Sequence, residues 1–164
     1  MNYDCGFTRG DRWFRYRAAA LIVEDGCVLL AGNDRDQYLY SVGGAVHVGE
    51  TAEDAVVREV FEETGVHYEV DRLVFIHENF FEGEGTVPEL HCHEVAFYFL
   101  MKPRGSKELD SHSTTSGGIP EHMHWIPIED LQKYRHFPDF LGEKLNHFSP
   151  GIEHIVTNEM NQSM

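Results

Sequence analysis

The chain has 164 residues, 41% of them hydrophobic, and a formal net charge of −15. That length suits one domain over residues 1–164 with one substantial core, and the acidity argues against a nucleic-acid surface, which needs a basic stripe. The longest strongly apolar run, Ala18 to Val23, is far short of a membrane span, and the opening MNYDCGFTRGDR has no signal-like apolar core, so a soluble cytoplasmic protein without a membrane partner is expected.

Arg15 to Glu24 reads as a strand, Asp25-Gly26 as a hairpin turn and Cys27 to Ala31 as its partner strand. Arg15 and Arg17 alternate with Phe14 and Tyr16, so both arginines share a face, suited to a phosphate or a base edge; salt bridges with surface acids account for them equally well. Tyr38 to Val42 is a short strand leading into a glycine loop. The segment Gly44 to Val66 then reads GAVHVGETAEDAVVREVFEETGV. Thr51 is the expected N-cap, with Asp54 three residues on as a variant of the capping box, and Gly65 is a natural stop, so residues 52–64 are predicted helical. At 100° per residue Glu59, Glu62 and Glu63 fall on one face beside Ala52 and Ala55, while Val56, Val57, Val60 and Phe61 occupy the adjoining and opposite arc. Carboxylates three and four residues apart on a helix repel by roughly a few tenths of a kcal/mol per pair, so a cation is expected to neutralise them. Oxygen ligands of this kind suit Mg²⁺ or Mn²⁺.

Beyond the helix, Tyr68 to Phe80 and Glu94 to Met101 have the β-branched and aromatic content of two longer strands. Phe81 to Pro88, with Gly83 and Gly85, reads as a loop, as does Pro103 to Pro120, rich in Ser, Thr, Gly and charge; the latter is a candidate lid or a plain surface connection. Helices are expected at Glu129 to Tyr134, introduced by Trp125-Ile126-Pro127, and at Asp139 to Asn146 after Pro138. Cys5, Cys27 and Cys92 are widely spaced, which disfavours disulfides and a zinc framework. His91 with His93, and His122 with His124, share a face if their segments are strands, and suit a nucleotide pocket or the surface better than a metal.

The segment Gly44 to Val66 matches, at nine defined positions over 23 residues, the signature of the Nudix hydrolases, which cleave nucleoside diphosphates linked to another moiety. The resemblance implies the Nudix α/β/α sandwich with a mixed central sheet, in an α/β class, and it extends as a pattern over roughly residues 13–135. It implies that Glu59 and Glu63 bind metal directly, that Glu62 is a ligand or a water-bridged partner, and that the Gly43 carbonyl is a further ligand. Arg58 is implied to orient the glutamates; Glu50 joins the outer metal shell or fixes the loop. Val42 stands where the family often has proline. Glu59 is the favoured general base and Glu62 the second choice, with Arg58 beside them in the catalytic set. Glu121 is the better placed further acid and Glu108 the weaker. Base and leaving group are expected to be read by Arg15, Arg17, Phe80 and Phe81, with Tyr40 and Trp125 as other aromatic candidates for stacking, each also explicable as core.

The implied substrate is a small-molecule nucleotide. The absence of a proline about fifteen residues past the signature, and of a tyrosine about seventeen past it, leans toward a nucleoside triphosphate pyrophosphatase. ADP-ribose or another nucleoside diphosphate derivative, and a nucleotide sensor without catalysis, are the alternatives. Oligomeric state is left open, a homodimer included.

Overall fold

The structure is a computed structural model that describes residues 2–83 and 89–160. In chain order it has β1 (Gly6–Arg9), β2 (Arg12–Leu21), β3 (Val23–Glu24), β4 (Cys27–Asn33), β5 (Leu39–Ala45), α1 (Ala52–Thr64), β6 (Val70–Glu82) and β7 (His91–Met101). There follow β8 (Glu121–Pro127), a 3₁₀ helix (Ile128–Lys133), β9 (His136–Phe137), α2 (Leu141–Lys144) and β10 (Glu153–Asn158). The strands form one sheet in the order β10-β6-β7-β2-β5-β4-β3, with β1 on β2, β8 on β4 and β9 on β5. Pairing is parallel between β10 and β6, β2 and β7, and β5 and β9, and antiparallel elsewhere, so the sheet is mixed.

The two-residue period of β2 divides the core. Ala18 and Ala20 face the layer that holds α1, with Val42, Val46, Val56 and Val60; Ala19 and Leu21 face the opposite layer, with Leu131, Leu141 and Leu145. The molecule is therefore the expected α/β/α sandwich, although its second helical layer is thin. Leu131 and Leu141, each fully buried, anchor that layer, and burying each side chain stabilises by about 1.5–3 kcal/mol.

The hairpin turn is as expected: Asp25 and Gly26 both have positive φ, 49° and 73°, which matches the right-handed twist of β3 and β4. Three expectations are corrected. The helix predicted at Glu129 to Tyr134 is a 3₁₀ helix beginning at Ile128, and the one predicted at Asp139 to Asn146 is only the four residues of α2. Both segments are short and follow proline, so packing of one leucine each sets their form instead of helix propensity. Phe81 lies inside β6 and not in a loop; Gly85 and Pro88 of that expected loop lie outside the described residues. Among the described residues no helix is long and apolar enough to cross a membrane.

Candidate active site

Helix α1 starts and stops where its caps dictate. The Thr51 side chain accepts from the Asp54 backbone N–H at 3.0 Å, and Gly65 adopts the left-handed conformation, φ 75°. The buried residues of α1 include Ala52, Ala55, Val56 and Val60, and Glu63 lies among them at 7% exposure. Glu63 thus sits on the packed side and Glu59 at its edge, while Glu62 is exposed; Phe61, on the arc away from the acids, is exposed as well and stacks on His67 with ring centroids 4.1 Å apart. Gly44 on β5 leaves the room that the Glu59 carboxylate occupies, while Gly43 lets β5 approach the backbone of β2 at Ala18. A Cβ on Gly44 would come within 2.6 Å of the Glu59 carboxylate carbon, and the Gly43 N–H donates to Glu63 Oε2 at 2.7 Å.

Arg58 gathers the remaining acids. It donates from Nε and Nη2 to the two oxygens of Glu50 at 2.8 and 2.9 Å, from Nη1 to Glu59 at 2.8 Å and Glu62 at 3.3 Å, and from Nη2 to the Ala45 carbonyl at 3.1 Å. Glu50 also accepts the His47 backbone N–H, so it fixes the loop before the helix; the hydrogen bonds from Arg58 push its carboxyl down to about 2. Burial pushes Glu59 up despite Arg58, and burial with the nearby charge of Glu121 pushes Glu63 far up.

Glu121 opens β8, in a strand and not in a loop as expected, and reaches the same place from the other side. Its carboxylate accepts from the Tyr40 hydroxyl and, at 2.6 Å, from the Ser113 hydroxyl. Burial and Glu121 together push the Tyr40 hydroxyl well above its usual value, so Tyr40 is a fixed donor. Ser113 belongs to the long connection 103–120, which is fastened along its length. The Asp110 N–H donates to the Thr64 carbonyl at 2.8 Å, the Ser111 hydroxyl to the Glu63 carbonyl, and Arg104 and Gly105 N–H groups to Glu24. Its contacts are those of a wall.

These groups border a cleft of about 1110 Å³. Glu59, Glu62, Glu63, Gly43, Arg15, Arg17 and Phe81 all line it; Phe80 does not, because strand alternation turns it to the other face of β6, where it stacks on His93. Arg58 stands behind the glutamates. Trp125, which donates to the Lys107 carbonyl, and Glu108 do not line the cleft. Of the arginines, Arg15 pairs with Glu94 and Arg17 donates to Ser41, whose carbonyl is 2.6 Å away. Glu94 is buried, so the expected partner at the surface is in fact an internal acid. Glu94, Trp13 and Asn79 also line the cleft and escaped sequence reasoning. A signal for Glu94 exists: it is the one acid in the inward phase Cys92, Glu94, Ala96, Tyr98 of β7.

The model of the NUDIX domain matches residues 13–143. The chain belongs to this family. A "MutT-like protein" of Streptomyces ambofaciens is 36% identical over 117 residues, 71% of this chain and 65% of that protein, so the match spans just under two thirds of the relative. Among solved structures, a MutT protein from Methanosarcina mazei superposes with a TM-score of 0.63 at 18% identity, covering 84% of this chain and 96% of the other. An ADP-ribose pyrophosphatase from Streptococcus suis gives 0.56 at 19%, covering 87% and 98%. These two likenesses concern the fold.

Members of the NUDIX family generally act with a divalent metal. The donor set here fits one: buried carboxylates of like charge face each other, and Glu59 Oε2 and Glu63 Oε1 accept no hydrogen bond from the described residues. No group of three His, Cys, Asp or Glu side chains among the described residues encloses an ion unaided. Mg²⁺ keeps several waters and takes substrate phosphate oxygens as ligands, so it needs few ligands from a protein.

Proposed function

We propose that the chain hydrolyses a phosphoanhydride bond of a nucleoside diphosphate derivative, with a nucleoside triphosphate cleaved to the monophosphate as the leading substrate. The observation that carries this is the set of acids, buried Glu63 and half-buried Glu59 with Glu121 opposite, at the edge of a cleft large enough for a nucleotide. In this reading Glu59, Glu63 and the Gly43 carbonyl bind Mg²⁺ or Mn²⁺ directly, Glu62 assists through its exposed carboxylate, and Glu121 completes the acidic ring. When bound, the metal supplies charge stabilisation at the phosphate and a more acidic water.

The chain's own residues do the rest. In this reading Glu59 accepts the proton of the attacking water, which is supported by its place in the cleft lining and by burial, which raises its affinity for a proton. Arg58 holds Glu59 and Glu62 in position from behind. Arg17 brings fixed positive charge close to the acids; burial pulls its pKa down, but Glu94, Tyr98, Glu63 and Glu59 more than offset that, so it stays charged.

ADP-ribose and related compounds form the second reading, supported by the solved neighbour of that name. The test is a panel of nucleoside triphosphates, oxidised nucleotides, ADP-ribose, nucleotide sugars and dinucleoside polyphosphates, each with Mg²⁺ and with Mn²⁺. Release of pyrophosphate from a triphosphate is the expected result. Turnover only of ADP-ribose, to AMP and ribose 5-phosphate, or only of a nucleotide sugar, to a nucleoside monophosphate and a sugar phosphate, would move the assignment, and binding without turnover of any compound would make the chain a sensor.

A further inference from the structure

The cleft floor carries polar groups that cleavage at phosphorus does not use. Strand register sets them in rows: Asn79 of β6 pairs with Glu94 of β7, and Glu94 pairs with Arg15 of β2. In the next row Phe81 pairs with Cys92 and Cys92 with Trp13. Paired residues project to one face, so an acid, a cation and an amide lie beside two aromatic rings. The Trp13 and Phe81 rings meet edge to face with centroids 6.2 Å apart, and the Arg15 guanidinium lies 5.1 Å from the centre of Trp13.

Hydrogen bonding in this row is incomplete. Arg15 directs both Nε, at 2.8 Å, and Nη2 to the same oxygen of Glu94, Oε2. Glu94 Oε1 accepts nothing from the described residues, and Nη1 of neither Arg15 nor Arg17 donates to any of them. Glu94 is 7% exposed and Arg17 8%, yet both line the cleft. None of these three atoms is among the buried polar atoms left without a partner, so each opens on the cleft, where a ligand can meet it. Burial pushes the Glu94 carboxyl up, but Arg15 and Arg17 outweigh it and hold the group below the usual carboxylate range, so it is purely an acceptor.

We infer that Glu94 reads the nucleobase: Oε1 accepts an N–H of an exocyclic amine while Nη1 of Arg15 or Arg17 donates to the neighbouring ring or carbonyl acceptor, selecting amino-bearing bases over amine-free ones. This rests on the nucleotide substrate proposed above. Guanine, adenine and cytosine carry the required donor beside an acceptor; hypoxanthine and uracil lack the amine. A ribose hydroxyl is the competing donor, and the adjacent Trp13 and Phe81 favour a flat ring over a sugar.

The experiment compares kcat/KM of the full chain with Mg²⁺ on GTP against ITP and on CTP against UTP, and measures metal-free binding of the matching monophosphates by calorimetry. At least one pair is expected to separate by about tenfold or more in favour of the amine, in turnover and in binding. Glu94→Gln, which keeps the shape but not the charge, is expected to shrink that ratio several-fold. Equal values within both pairs in the unaltered protein, a result that needs no variant to fold, would overturn the inference while leaving hydrolysis intact. A Glu94→Gln effect on the ribo to deoxyribo ratio in place of the amine ratio would also overturn it. Amine-dependent binding without hydrolysis of any nucleotide would support the base reading and remove the hydrolase assignment instead.

Discussion

Arg58 makes hydrogen bonds to three carboxylates and a carbonyl, and the consequence is a division of labour among the glutamates. Glu50 is held as a structural anion, whereas Glu59 and Glu63 keep an oxygen free and a raised affinity for protons. Glu59→Gln and Glu63→Gln are each expected to lower kcat on the best substrate by on the order of a hundredfold or more, with the circular-dichroism spectrum unchanged. Retention of more than half the rate by either variant would remove that residue from the mechanism. Gly44→Ala probes the same place from below. Its Cβ would overlap the Glu59 carboxylate, so a loss of about ten- to hundredfold in kcat/KM is expected from displacement alone.

At the scale of elements, α1 was legible because every signal for it is local: cap, period, acidic stripe and terminal glycine lie within one stretch. Two things were not. β8 hides behind an alternation of histidine with Met123 and Trp125, whose sequence shows only that His122 and His124 share a face if the segment is a strand. The row of Asn79, Glu94 and Arg15 depends on register among three strands far apart in sequence, and no local pattern contains it. The 103–120 connection shows the same limit, since its composition resembles a mobile loop while its hydrogen bonds to Thr64, Glu63 and Glu121 fasten it to the acidic site. Ser113→Ala separates a wall from a lid. Loss of its bond to Glu121, about 1 kcal/mol, is expected to lower kcat several-fold and raise the Mg²⁺ concentration needed for half-maximal activity, at unchanged KM for the nucleotide. A change confined to KM would indicate a lid.

For the whole molecule, the proposed metal site would couple metal, pH and stability. Burial raises Glu63 above its unfolded value, so its contribution to stability is complete below the unfolded carboxylate range and is lost as pH rises through the raised folded value. Metal binding to the ionised form, as proposed above, would oppose that loss. A hundredfold excess of Mg²⁺ over its Kd is therefore expected to raise Tm by about 5 °C or more at pH 8, relative to protein in EDTA, with a smaller increment at pH 6. Melting scans at both values check this, and an increment that grows as pH falls would show that the carboxylates are not where the metal binds.

Strand β10 has a consequence of another kind. It lies parallel along β6 from Phe75 to Phe80 and covers six residues of what would otherwise be a bare margin. An uncovered margin of that length offers a row of backbone donors and acceptors to any neighbouring chain. Ending the protein at Ser149 is thus expected to yield self-associating material, seen as early elution and rising light scatter, even though the acids of α1 are untouched. If the shortened chain elutes as the full chain does, the six residues of β10 serve the cleft beside Glu159 and not solubility.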